Sequence, residues 1–437
     1  MKRALALLAA LTLLLSGCSL PQGKVGTTVG QPVSTTPTAQ TGTAAPQPGQ
    51  APPGTGDAPA DPNAPRTPHQ PVQVKGLYMT GYIAGGDKSF HDLLTYMKSS
   101  GLNAVVIDVK DDDGLVTFAV DVPAVKESGA NKFIKVSDMP GRIKELHDNG
   151  IYTIGRIVTY VDPVLAKWRP DWAIQDGGRV YYDSRRLPWG NPYKKEVWQY
   201  NVDIAKAAVK AGFDEIQFDY VRFPEKHIQG FNYGVGRDQR VNTITGFLKY
   251  AHDELKPLGV YVAADVFGLT TTVVDDMMIG QEYRAVSETV DYICPMVYPS
   301  HYNPGLFGLK NPNAAPYETV YQSMLRGLEK ADGLDISKHR PWIQDFSLYG
   351  VKYGKAEIEA QIKALANAGV RQFILWDPNN KYIRGVDYSL IDSTPALPHP
   401  KPEPKPAENG GTGSSGTTGG NTSGASGSIG SGTSPTP

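Results

Sequence analysis

Eight short apolar runs alternate with amphipathic ones between Lys75 and Pro378, and this alternation constrains the fold more than any other feature. The runs are KGLYMTGY, LNAVVIDVK, IYTIGRIV, FDEIQFDYV, GVYVAADVFG, VDYICPMVYP, RPWIQDFS and VRQFILWDP. Helical patterns such as FHDLLTYMKSSG, MPGRIKELHDNG, NPYKKEVWQYNVDIAKAAVKAG and KAEIEAQIKALANAG fill the gaps, each closing on a glycine before the next strand. A glycine there ends a helix by taking a left-handed conformation. Strands that alternate with helices pair in parallel. Eight such units predict an α/β fold, a (β/α)8 TIM barrel of the usual size of about 250 residues plus insertions. A doubly wound sheet is the alternative, but no Gly-rich phosphate turn follows an early strand.

The stretch GFDEIQFDYVRFPE, Gly212 to Glu225, shows how the barrel is filled. Residues two apart in a strand share a face. Glu215, Gln217 and Asp219 therefore point into the barrel, with Phe213 on the same face by parity, while Ile216 and Phe218 meet the helices. Asp219 lies nearest the C-terminal mouth, where barrel chemistry is placed. Glu215 lies deeper and calls for an inward Arg or Lys.

Other strand ends are polar too: Asp108 and Lys110, Arg156, Asp265, Tyr298, Gln344 with Asp345, and Asp377. Asp345 and Asp377 fit the ordinary use of Asp at strand exits. Asp219 and Asp265 end neighbouring strands, which lie about 4.8 Å apart. Two such carboxyls suit cleavage of a glycosidic bond, which needs one carboxylate at the anomeric carbon and one acid for the leaving oxygen. Asp219 is the expected nucleophile, Asp265 the expected acid/base and Glu225 the reserve acid. Arg222 is expected either to hold Asp219 ionised or to form a loop salt bridge. Asp108, Arg156, Trp189, Arg222, Tyr298, Gln344 and Trp376 are the expected substrate-binding residues, because aromatic planes accept the C–H faces of sugars. Trp168 and Trp172 are expected to pack the long loop they belong to. VKDDDGLVTFAVDV fails the calcium-loop spacing and reads as a hairpin. No metal and no cofactor are expected.

The chain opens with MKRALALLAALTLLLSGCSL, a basic start and a short apolar run ending in Leu-Ser-Gly-Cys. This pattern predicts a lipoprotein signal over residues 1–17, lipidation at Cys18, and a membrane-anchored protein facing the extracytoplasmic side. Residues 18–73 and 396–437 are rich in Pro, Gly, Ser and Thr, and are expected to be a disordered tether and tail around a single domain at 74–395. The formal net charge of −1 and the lack of a basic run exclude nucleic acid as a partner. A monomer is expected.

The segments VKGLYMTGYIAGG, LNAVVIDVKDDDG, GFDEIQFDYVRFP, AADVFG, PMVYPSHY, PWIQDFS and ILWDPNN resemble the bacterial family known as "putative glycosyl hydrolase domain". The long stretch from GIYTIGRIVTYVDP through LPWGNPYKKEVW carries the same likeness. The resemblance implies an α-amylase-like barrel whose nucleophile follows strand four, matching Asp219, and whose acid follows strand five. That second position usually bears Glu and here bears Asp265. The implied function is an extracytoplasmic glycoside hydrolase acting on a polysaccharide or oligosaccharide. A non-catalytic carbohydrate-binding lipoprotein on the same fold is the competing expectation.

Overall fold

The computed structural model describes residues 70–225 and 236–398. Eight strands form a closed parallel barrel: β1 (Lys75–Met79), β2 (Ala104–Lys110), β3 (Tyr152–Val158), β4 (Glu215–Asp219), β5 (Tyr261–Phe267), β6 (Tyr292–Met296), β7 (Trp342–Gln344) and β8 (Phe373–Trp376). Each strand pairs with its successor, and β8 returns to β1 through pairs such as Gly76 with Ile374. The helix ahead of β4, Lys195–Ala211, stops where Gly212 adopts φ +117°, a value that a side chain would strain. Cys18, the signal and most of the tether, and the tail from 399 onward lie outside the described residues. Among the described residues, no helix is long and apolar enough to cross a membrane.

Alternation along the strands separates two cores. The outward residues of β4, Ile216 and Phe218, join the layer between barrel and helices, and Phe218 meets Phe247 of the helix Arg237–Leu255 at 5.1 Å between ring centres. The inward layer includes Tyr78, Val106, Ile154, Ala263, Cys294, Trp342 and Ile374. Phe213 does not follow the parity expected of it. It precedes the first residue of β4 and packs outside, where its ring lies against Gly155 of β3.

Glu215 closes the lower barrel. Arg340 Nη1 donates to both of its carboxylate oxygens at 2.7 Å, and Tyr152 Oη donates to Oε2 at 3.1 Å. The Arg340 guanidinium also lies 3.7 Å from the centre of the Tyr292 ring. This inward arginine is the partner that the strand pattern required.

Two further features shape the mouth. The segment after β2 turns as a hairpin, with Lys110 bridged to Val116 and the Asp111 carboxylate accepting from the Asp113 and Leu115 amides. The long segment after β3 is tied by bridges from Val161 to Trp189 and from Ala173 to Gly190. Inside it, Trp168 and Trp172 meet edge to face at 5.4 Å, as its own small core. The helix Tyr283–Thr289 between β5 and β6 has no counterpart in the sequence reading, because its seven residues are too few to show a helical period.

Candidate active site

The C-terminal ends of the strands surround a cavity of about 1050 Å³. Its lining includes Asp219, Asp265, Arg156, Trp189, Arg222, Tyr298, Trp376 and Glu225 among the residues singled out above. Asp108 and Gln344 are absent from the lining. Asp108 sits behind Arg156, and Gln344 is spent on the protein itself: its Oε1 accepts from Ser300 N and its Nε2 donates to the Phe346 carbonyl.

The two central carboxyls occupy different surroundings. Continuing the β4–β5 register one step past the Phe218–Ala264 pair brings Asp219 level with Asp265. Asp219 is ion-paired: Arg156 donates from Nε at 2.9 Å and from Nη2 at 2.6 Å, both to Oδ2. Its Oδ1 accepts from the Tyr220 amide at 2.6 Å. Tyr220 holds φ +48°, an unusual backbone for a bulky residue and typical of a functional position. Among the described residues, Asp265 instead meets neutral donors, Trp342 Nε1 and Gln217 Nε2, both at 2.7 Å and both on Oδ1. Burial, reinforced by the nearby Asp219 charge, pushes the Asp265 carboxyl well above the usual carboxylate range.

A chain of contacts fixes Arg156. Its Nη1 donates to Asp108 Oδ1 at 2.7 Å, and its Nη2 reaches Asp112 at 3.3 Å. Tyr78 Oη donates to the other Asp108 oxygen at 2.5 Å. Burial raises the Asp108 pKa to about 6 even with Arg156 beside it. The Tyr78 ring stacks on Trp376 at 4.3 Å, and Trp376 meets Trp342 edge to face at 5.5 Å. One aromatic floor thus supports the groups that hold both carboxyls.

Arg222 is not the guanidinium on Asp219. The chain turns sharply at Tyr220, and Arg222 lies against Trp189 and Phe267 while donating to Glu225 at 3.2 Å and to the Phe223 carbonyl at 3.0 Å. Of the two roles expected for it, the loop salt bridge is the one the side chain adopts. Trp342, Tyr78, Tyr220 and Asp112 were missed in the sequence. Parity gave a usable signal for Trp342, which stands two residues from Gln344 on β7. The strained Tyr220 backbone leaves no such mark.

Comparison with known proteins fits this geometry. The family profile described as "putative glycosyl hydrolase domain" matches residues 76–382, which take in all eight strands but for Lys75, the first residue of β1. The chain belongs to that family. A hypothetical protein from Ruminiclostridium thermocellum of known crystal structure is 39% identical, over 44% of this chain and 97% of that one, with a TM-score of 0.40. The glycoside hydrolase domain of PgaB (BpsB) from Bordetella bronchiseptica is 13% identical over 74% of this chain and 99% of its own, with a TM-score of 0.54. The latter likeness is one of fold. No protein of curated function gives a significant match.

Proposed function

We propose that this glycosyl hydrolase domain cleaves glycosidic bonds of a polysaccharide or oligosaccharide, with Asp265 as proton donor and Asp219 as the carboxylate facing the anomeric carbon. One observation carries the reading: two carboxyls on adjacent strands share a cavity, one in an ion pair with Arg156 and the other buried among neutral donors. Surroundings that drive two acids apart assign their roles. With Oδ1 fixed by Trp342 and Gln217, Asp265 can present a proton on Oδ2 to the leaving oxygen. The Asp219 charge then meets the oxocarbenium-like carbon as the bond breaks, and a water adds its oxygen to that carbon while its proton restores the enzyme's acid. Of the three aromatic residues that line the cavity and were expected to bind substrate, Trp376 is partly exposed and offers a ring face to the sugar, whereas Trp189 and Tyr298 are buried behind the wall.

A paired assay tests this reading. The wild type is screened against diverse polysaccharides, and Asp219→Asn is then measured for turnover and for thermal unfolding. Loss of turnover with retained binding and fold is expected. Near-normal turnover would remove Asp219 from the mechanism, and a large loss of stability would make it structural.

A second reading, a non-catalytic carbohydrate-binding protein, draws on the fact that both Asp219 oxygens already accept hydrogen bonds from protein groups. It predicts glycan binding with no turnover of any sugar polymer, in wild type and variant alike.

The Leu-Ser-Gly-Cys motif supports a location outside the cytoplasm, anchored through a lipid on Cys18. Stable attachment needs more than one acyl chain. Cys18→Ala should release the protein from the membrane fraction; retention after a salt wash would overturn the anchor.

A further inference from the structure

Among the described residues, the exposed large aromatic side chains are Tyr82, Phe133, Tyr182 and Tyr349. All four stand on segments that follow the C-terminal ends of barrel strands, on the face where the cavity opens. Chance placement would scatter such rings over both ends of the barrel. Tyr82 is the most firmly built of them. It is 70% exposed, yet the Lys135 ammonium lies under its ring, 4.3 Å from the centre. Lys135 is itself nearly buried and ion-paired to Asp111. The ring therefore has one face fixed on a cation and the other open to solvent.

The backbone beneath is built for this contact. A Cβ on Gly85 would stand 1.7 Å from the Lys135 carbonyl oxygen, and one on Gly81 would stand 2.8 Å from Thr117. Only glycine at these places lets the segment after β2 lie directly on the short helix Gly81–Gly85. The same segment exposes Phe133 and Ile134 beside Lys135. The ridge is tied to the cavity wall through adjacent residues: Asp111, which holds Lys135, precedes Asp112, which lines the cavity and meets Arg156.

We propose that Tyr82 and Phe133 form a remote sugar subsite, so that the ligand is a polysaccharide chain lying across the mouth from the cavity to this ridge. The proposal rests on the carbohydrate reading above and extends it from a single bond to an internal stretch of polymer. An amphipathic ring with one free face suits the C–H face of a sugar, and a polymer supplies sugars at a distance that a short glycoside cannot reach.

Affinity electrophoresis tests it, in gels containing glycol chitin, xylan, pullulan or carboxymethylcellulose, with the full chain, Tyr82→Ala/Phe133→Ala, and Ile336→Ala as a control on the opposite end of the barrel. Calorimetry with a disaccharide and a hexasaccharide of the retarding polymer completes the comparison. The double variant should bind the retarding polymer roughly three- to tenfold more weakly, the scale of losing an aromatic contact. Its affinity for the disaccharide, and the binding of Ile336→Ala, should match the wild type. Equal retardation of wild type and double variant would overturn the subsite while leaving the carbohydrate reading intact. An equal loss for disaccharide and polymer would overturn it as well. If none of the four polymers slows the wild type, the carbohydrate reading and the subsite fall together.

Discussion

Arg156 sends two N–H groups to a single oxygen of Asp219, Nε at 2.9 Å and Nη2 at 2.6 Å, while its remaining nitrogen holds Asp108 at 2.7 Å. One guanidinium from β3 thereby links a carboxylate near the end of β2 with the one that ends β4. A planar fork can do this and a point charge cannot. Arg156→Lys should therefore lose most activity while folding. Arg156→Met should cost about 3–5 kcal/mol, because two buried carboxylates lose their partner. Urea unfolding would show the loss shrinking as pH falls towards about 6, because Asp108 without the guanidinium takes up its proton at a higher pH than in the wild type. A Lys variant with full activity would separate Arg156 from the chemistry.

Trp342 bears on Asp265, the proposed acid. Its indole N–H on Asp265 favours the charged form, so Trp342→Phe should raise the Asp265 pKa further. The alkaline limb of kcat/KM should move to higher pH, because the acid stays protonated longer. An unmoved limb would assign that limb to another group.

Glu215 offers the structural contrast to Asp219. Glu215→Gln leaves the Arg340 charge buried without its carboxylate, and should cost about 3–5 kcal/mol in chemical denaturation. Turnover per folded molecule should stay near wild type, since Glu215 lies outside the cavity lining. A selective loss of turnover would contradict the division between a structural lower layer and a reactive upper one.

Asp345 gives a signature in stability. Burial raises its pKa to about 8, and the Ile383 amide donates to it at 3.3 and 3.4 Å. The unfolded chain releases that proton near pH 4, so the native state binds more protons between about pH 4 and 8. Stability contributed at this site falls as pH rises through that window. Asp345→Asn cannot ionise, so its stability relative to wild type should improve from about pH 4 to about pH 8 and level off above that. A constant difference across that range would refute the shifted pKa.

The barrel was legible because its signals are periodic. Alternation placed Glu215, Gln217 and Asp219 inside and Ile216 and Phe218 outside, and glycines such as Gly212 marked where helices hand over to strands. The period held only within the strand. Phe213, two residues ahead of Glu215, escaped it because the pleat had not yet begun. Closeness in sequence left Arg222 two roles, holding Asp219 or a loop salt bridge; it adopts the second, and the guanidinium on Asp219 is that of Arg156, from another strand. Long side chains cross a barrel interior, and nothing local to either residue encodes that meeting. Tyr220 and the short helix Tyr283–Thr289 were hidden for related reasons, one a backbone distortion and the other too brief to repeat.

The Glu215–Arg340 pair makes the reaction chamber a room with a single door. With Tyr152 and Tyr292 beside it, the pair stops the barrel from below, so nothing passes through from the other end. Water that completes a hydrolysis must arrive by the mouth that the glycan itself occupies. If the proposed reaction passes through a glycosyl-enzyme on Asp219, sugar hydroxyls waiting at that mouth compete with water for it. Crowding the substrate would steer such an enzyme from trimming chains toward rejoining them.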